Sequence, residues 1–241
     1  MNTNAALRTV NPELVRYYLG VSTKRLVVAI DGPSGAGKGT VARALSEALG
    51  YRHVDTGAMY RAVAWKADHE GVSLDDETAV AALAERAVIA VEGGAVTIDG
   101  HDVTRAIRTP AVDGLAAAVA RLPRVREVLV ARQRSLGEAG GVVMEGRDIG
   151  SVVFPDADVK IYLDASPEER ARRRAGDAAH TGGQAGQAAV AEAIRARDTS
   201  DTTRTASPLA LAPGAVLVDT TDMSIDVVVA HVLNLVRAKL S

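Results

Sequence analysis

At 241 residues the chain is long enough for one α/β domain with insertions, or two tightly coupled lobes, around a real core. Its 28 Lys and Arg stand against 30 Asp and Glu, a net charge of -2. No overall field therefore exists to hold a nucleic acid or an anionic membrane, and aromatic residues at 3% are too few for base-stacking platforms.

The absence of cysteine excludes a disulfide framework, a thiolate nucleophile and a cysteine-bound metal, a pattern that fits a reducing cytoplasm. Residues 1–24 combine Asn, Thr, Pro12 and the pair Tyr17 and Tyr18 without clear periodicity. They lack the basic start and apolar core of a signal peptide, and read as an extension ahead of a domain over residues 25–241. No apolar run approaches the roughly 20 residues that span a bilayer.

Residues 26–30 form a short continuous apolar run closed by Asp31 and Gly32, the pattern of a strand buried on both faces. The period then changes. Val41, Ala44, Leu45, Ala48 and Leu49 fall on one helical stripe, with Arg43, Ser46 and Glu47 opposite and Gly50 placed to stop the helix. The stretch that follows is too long for a single crossover helix. Within it Val88, Ala90 and Glu92, then Val96 and Ile98, straddle Gly93 and Gly94 as hairpin arms do. An insertion over residues 56–137 is expected.

Further apolar runs at 142–144, 159–163 and 216–218 each lead into polar residues and a helical pattern, which gives an α/β fold with a mainly parallel sheet. The helix after residue 163 opens with Ser166, Pro167 and Glu169: an N-cap, a preset first turn and the glutamate of a capping box. Residues 175–187 are rich in Gly, Ala and Gln with no apolar stripe, and are expected to be mobile, as a lid is.

The segment Gly32, Pro33, Ser34, Gly35, Ala36, Gly37, Lys38, Gly39, Thr40 matches G-x-x-x-x-G-K, with its first glycine just after a strand and its lysine at a helix start. The glycines let successive N–H groups turn inward, the helix start adds its positive dipole end, and Lys38 can reach between β and γ phosphates. A Gly-rich turn arising from composition alone is the competing reading, and the strand before and helix after argue against it. Gly39 stands where the strict pattern has Ser or Thr, so the hydroxyl sits one residue later at Thr40. Magnesium is expected with the triphosphate, held largely through water, with no protein ligand assigned.

A phosphate loop leaves open switch, motor and kinase. A guanine-specific switch would show Asn-Lys-x-Asp, whereas asparagine occurs only at positions 2, 4, 11 and 234, so a kinase leads. Glu145, Arg147 and Asp148 lie beyond the run at 142–144, where open parallel sheets bind ligands; an internal Arg to Asp pair is the plainer alternative. Arg197, Asp201 and Arg204 are spaced to share one helix face, as anion grips or as a solvated ion-pair ladder. Asp55 or Thr56 can cap a helix that carries Arg61 one turn in. Of the adjacent Arg172, Arg173 and Arg174, at least one should be solvated while the others could close over a triphosphate. His53, His69, His101, His180 and His231 show no ligand spacing.

Four segments, GPSGAGKGT, DTGAMYR at 55–61, EGRDIGSVVFPDADVKIYLDAS from Glu145 and RDTSDTTR from Arg197, closely resemble the bacterial cytidylate kinases in order and spacing, from about residue 26 to the C-terminus. The resemblance implies a P-loop kinase with a central parallel sheet flanked by helices, a substrate-binding insertion at about 56–137 and a mobile lid at about 172–204. It implies transfer of the γ-phosphoryl group of ATP, with Mg2+, to CMP or dCMP. By the same resemblance Lys38, Arg147 and Arg197 act on the transferring phosphoryl group, and Thr56, Tyr60 and Arg61 line the monophosphate pocket. Arg108 meets the pyrimidine, Asp148 accepts from the cytosine amino group, Arg147, Arg197 and Arg204 contact phosphates, and Asp201 bonds the sugar. Ala117 departs from the serine that many relatives carry, which should narrow cytosine selectivity. The expected partners are these small molecules alone, for a cytoplasmic monomer. The alternatives are a kinase for UMP, AMP or shikimate, or a nucleotide-gated binding module.

Overall fold

The computed structural model describes residues 25–176 and 187–240. Strand β1 (Val27–Asp31) runs through the centre of the molecule, with Val28 and Ile30 packed to one side and Ala29 to the other. Both faces are covered, which is why the run is apolar without alternation. Helix α1 (Lys38–Leu49) follows the glycine loop and stops at Gly50, whose φ of 64° an L side chain rarely adopts. Strand β2 (Arg52–Asp55) leads directly into α2 (Thr56–His69), capped by the Asp55 carboxylate, which accepts from the Ala58 N–H at 3.0 Å.

Helix α3 (Glu77–Arg86) precedes the hairpin β3 (Ile89–Glu92) and β4 (Ala95–Ile98), with β5 (His101–Asp102) added on its far edge. Gly93 and Gly94, both at positive φ, make the two-residue turn that the pattern predicts. Helices α4 (Pro110–Val119) and α5 (Pro123–Gly137) complete this region. It has a hydrophobic cluster of its own, in which Val63, Leu83, Ile98 and Leu129 are fully or almost fully buried.

Strand β6 (Val142–Glu145) is followed by a short π-helical turn (Ile149–Val153), then β7 (Val159–Asp164) and α6 (Pro167–Ala175). Helix α7 (Gln187–Thr203) packs on α6 through Ala171, Val190 and Ile194. Strand β8 (Val216–Asp219) and α8 (Ile225–Leu240) close the chain. The main sheet is wholly parallel, in the order β2-β6-β1-β7-β8. Helices α1 and α8 cover one face through Val41, Leu45, Val228, Val232 and Val236, and α5 lies on the other through Val130. This is an α/β fold built on a phosphate loop, and no helix among the described residues is long and apolar enough to cross a membrane.

Two details depart from the sequence-based expectation. Strand β2 carries no apolar run: at the sheet edge only Val54 is buried, so nothing in its pattern demanded two covered faces. The N-cap at Ser166 forms, accepting from the Glu169 N–H at 3.2 Å, but the second half of the capping box does not. Glu169 instead holds Arg172 and Arg173 at 2.7 and 2.8 Å, and the Ser166 N–H donates to Thr221 Oγ1. A carboxylate is better satisfied by two guanidinium groups than by one peptide N–H. The mobility expected at 175–187 falls almost wholly on residues 177–186, outside the described residues.

Candidate active site

Parallel register brings the carboxyl ends of four strands to one edge, where Ile30 pairs with Glu145, Asp55 with Glu145, and Asp31 with Tyr162. Ligands bind at this edge in open α/β sheets. The chain leaves β1 through Gly32, where an added Cβ would stand 2.0 Å from the Leu163 carbonyl oxygen. Gly37, at φ 91°, begins α1 with no side-chain cap, and the first turn holds no acid. The first N–H groups of the helix and its dipole are thus left to an anion.

Lys38 lies under this loop, 7% exposed, with Nζ donating to the Pro33 carbonyl at 2.8 Å. Burial, reinforced by the nearby Arg147 cation, lowers its pKa to about 7 against partial relief from Glu145, Asp201 and Asp31. An incoming polyphosphate reverses that balance, because its charge favours the ammonium form. A group whose pKa is higher bound than free takes up a proton on binding, and its affinity term is full below the free pKa and fades as pH rises above it. Calorimetry of ATP binding at pH 8 in buffers of different ionisation enthalpy should therefore show net proton uptake, and the uptake should vanish in Lys38→Met.

The Gly39 departure has a steric reason. A Cβ on Gly39 would lie 3.1 Å from Glu145 Oε1, so a larger residue there would press on the carboxylate end of that β6 side chain. Glu145 is 7% exposed and its Oε1 is 3.0 Å from His53 Nε2. His53, which carries no ligand spacing in sequence, is thus part of the site through a pair that only the β2–β6 register creates. Thr56, also buried, donates from Oγ1 to the Glu145 carbonyl at 2.7 Å.

Opposite the loop, cations gather. Arg147 Nε donates to Asp201 Oδ2 at 2.7 Å, and Arg197 Nε reaches both oxygens of Asp201 at 3.2 Å. Asp201, 2% exposed, is occupied in this arrangement by two arginines rather than turned to the cleft. Arg197 and Asp201 share a face of α7 as spaced, but the helix ends at Thr203, and Arg204 lies beyond it, tied to the Ser207 carbonyl at 2.6 Å. From there Arg204 Nη2 reaches Asp148 Oδ1 at 3.4 Å.

Asp148 also pairs closely with Arg126, a residue the motif reading passes over. Arg126 is 4% exposed on α5, donates to the Ala120 carbonyl, and lies 5.6 Å over the Tyr60 ring. Its signal is positional: with Leu129, Val130 and Gln133 it falls on the buried stripe of the helix, where an arginine needs a buried partner. Arg108 lies elsewhere on the wall, on the side of Asp55. Burial raises the Asp55 pKa, but Arg61, the Ala58 N–H, His53 and Arg108 outweigh it and hold the carboxyl below its ordinary value. Arg61 donates to Asp55 at 3.0 Å, and its buried Nε has no hydrogen-bond partner among the described residues.

Arg172, Arg173 and Arg174 do diverge. Arg172 is solvated, with a side chain 69% exposed beside Glu169. Arg173 bonds Thr220 through Oγ1 and the carbonyl, close to Gly37, and Arg174 reaches across to Asp113 on α4 at 2.6 Å. All these walls enclose one cleft of about 1240 Å³, lined by residues 34–40, Thr56, Tyr60, Arg61, Arg108, Ala117, Arg147, Asp148, Arg197 and Arg204, while Gly32, Pro33 and Asp201 stand behind its surface. A volume above the roughly 300–1,000 Å³ of a single-ligand site has room for two.

A phosphate loop facing an arginine-lined pocket is shared by several kinases, and comparison with known proteins separates them. The family model for cytidylate kinase matches residues 28–238. The chain belongs to the cytidylate kinase family. It is 48% identical over 220 residues to a cytidylate kinase of Solibacter usitatus, covering 90% of this chain and 95% of that one. Similar matches are a cytidylate kinase of Pelotomaculum thermopropionicum, at 50% identity with 88% and 96% covered, and one of Caldanaerobacter subterraneus, at 46% with 87% and 94% covered. The matched family region contains every candidate residue from Gly32 to Arg204.

Proposed function

We propose that the chain transfers the γ-phosphoryl group of ATP to the 5′-phosphate of CMP or dCMP, giving ADP and the cytidine diphosphate. One observation carries this beyond family membership. A single cleft has the triphosphate loop on one wall, and on the other Arg61, Arg147, Arg197 and Arg204 together with Asp148, a buried carboxylate held between Arg126 and Arg204. Cations alone would suit any phosphate; a buried acceptor fixed between two arginines suits an exocyclic amino group.

The acceptor phosphate oxygen attacks the γ-phosphorus in line, the bond to the β-bridging oxygen breaks, and no covalent enzyme intermediate forms. A phosphate oxygen is ionised at neutral pH, so the chain supplies alignment and charge rather than a general base. The loop N–H groups and Lys38 hold the triphosphate. Thr56, Tyr60 and Arg61 hold the acceptor phosphate, while Arg147 and Arg197 turn from Asp201 to the transferring group. Asp201, so released, bonds the sugar. Arg126 and Arg204 fix Asp148 against the base, and Arg108 closes the pocket from the insertion side. Residues 56–137 act as the acceptor half, and 172–204 as the lid.

Magnesium, bound with ATP, would supply charge that offsets the phosphates. Among the described residues no group of three or more His, Cys, Asp or Glu could hold an ion alone. The residues fit an ion carried on the nucleotide through water, with Glu145 a carboxylate beside the loop. The cleft is built from one chain, which suits a monomer, and the reaction belongs in the cytoplasm with its nucleotide substrates. The test is a coupled assay of ADP formation with ATP, Mg2+ and, separately, CMP, dCMP, UMP, AMP and shikimate. Preference for CMP and dCMP is expected, with UMP the next best because Ala117 offers the base no hydroxyl. Preference for AMP or shikimate, or no acceptor-dependent turnover, would overturn the proposal.

A further inference from the structure

The π-helical turn at Ile149–Val153 begins immediately after Asp148, which occupies its N-cap position and yet makes no side-chain cap. An aspartate in that place ordinarily turns its carboxylate onto the N–H groups just ahead of it, as an Asx turn or an N-cap. Here those N–H groups are already taken. Asp31 Oδ1 accepts from Ile149 and Oδ2 from Gly150, both at 2.8 Å, from a residue on another strand more than a hundred positions earlier. Asp31 is 3% exposed, ends β1 and directly precedes Gly32 of the phosphate loop. The Asp148 carboxylate is left to Arg126 and Arg204.

We infer that Asp31 is a positioning residue for acceptor recognition: by capping the π-helical turn from β1, it keeps the Asp148 carboxylate off the local backbone and facing the base pocket. The inference rests on the reading that Asp148 recognises the base. Two buried peptide N–H groups cannot stay unpaired in a native fold without cost, and the acceptor next to them along the chain is Asp148, for which the Gly150 N–H is the usual Asx-turn partner. Substitution of Asp31 thus recruits Asp148 inward, away from Arg126. Burial pushes the Asp31 carboxyl up to about 6, with the Gly150 and Ile149 N–H groups opposing it, as befits a carboxylate kept in a dry place by the bonds it accepts. The same side chain joins the triphosphate loop to the acceptor loop, so the two halves of the site share one anchor.

The test is a four-way comparison of wild type, Asp31→Asn, Asp148→Asn and the double variant, measuring kcat/KM for CMP and for UMP, KM for ATP, and Tm. An asparagine at 31 accepts one bond and presents an N–H to the other, so the CMP to UMP ratio should fall by about tenfold or more. KM for CMP should rise while KM for ATP stays within about twofold, since acceptor binding carries the loss. In the Asp148→Asn background, adding Asp31→Asn should leave the ratio where it already is, because a residue acting through another has no effect once that other is gone. If Asp148→Asn loses the ratio and Asp31→Asn keeps it, the inference fails and the base reading stands. An equal fractional fall in both backgrounds, tracking Tm, also overturns it and makes Asp31 a fold residue only. If Asp148→Asn alone keeps the ratio, the base reading fails and the inference falls with it. Should Asp31→Asn not yield folded protein, Asp31→Ser, whose hydroxyl still accepts one bond, is read in the same comparison with the same outcomes.

Discussion

Replacing Lys38 by methionine should lower kcat by about 10³-fold, the scale of losing one preorganised contact to developing charge, while raising thermal stability. The two halves of this expectation have one cause. Lys38 is a buried cation set beside another, Arg147, and the folded chain holds its proton less well than the unfolded chain does. For a lysine with a lowered folded pKa the penalty is full below that value, about 7, and fades as pH rises toward the ordinary 10.5. Methionine keeps the length and apolar stem without the charge, so it relieves the penalty at neutral pH. A chain of this size gains roughly 2–4 °C in Tm for each kcal/mol relieved. The gap in Tm between variant and wild type should then narrow as pH is raised from 7 to about 9.5. Steady-state kinetics with CMP and scanning calorimetry across that range test both halves. A kcat within tenfold of wild type would remove Lys38 from the transfer step, and a lowered Tm would mean that its bond to the Pro33 carbonyl outweighs the buried charge.

The parts of the molecule open to reading in the sequence are those decided by neighbours along the chain. Short continuous apolar runs marked β1, β6, β7 and β8 to within a residue or so, the period of Val41, Ala44 and Leu45 marked α1, and the glycine pair marked the hairpin. The hidden parts depend on partners distant in sequence. Edge strand β2 buries only Val54, so its identity comes from pairing with β6 and not from its own pattern. His53 becomes a site residue because that pairing sets it against Glu145. Arg126 meets Asp148 from a helix with an otherwise unremarkable charged sequence, and Asp31 reaches Ile149 and Gly150 from the first strand. Even the Gly39 departure, plain as a mismatch in the loop pattern, acquires its reason only when Glu145 is brought beside it. Motif residues could be named by type, but which carboxylate belongs to which arginine is decided by tertiary packing.

Pairing also determines how base selectivity should be tested. Asp148 stands between Arg126 and Arg204, which are 4% exposed each. Truncation to alanine would leave two buried cations without their shared partner, a loss of about 3–5 kcal/mol that would confuse recognition with folding. Asp148→Asn keeps the shape and one acceptor oxygen between the arginines; it removes the charge and the certainty of which group faces the base. A carboxylate can accept from the cytosine amino group and repels the uracil carbonyl at the same position, whereas an amide turns its oxygen to one or its nitrogen to the other. The CMP to UMP ratio of kcat/KM should therefore fall by about 10²-fold, within the range that unpaired buried polar groups can enforce. Ala117 lines the same cleft without a hydroxyl, so it offers no second polar contact to preserve the preference. KM for ATP should hardly change, since the triphosphate wall at residues 34–40 is untouched. Most of the change should come from improved use of UMP, because it is the repulsion that disappears; a ratio that falls only through lost CMP turnover would instead make Asp148 a tether for Arg126 and Arg204, and would pass base recognition to the arginines themselves.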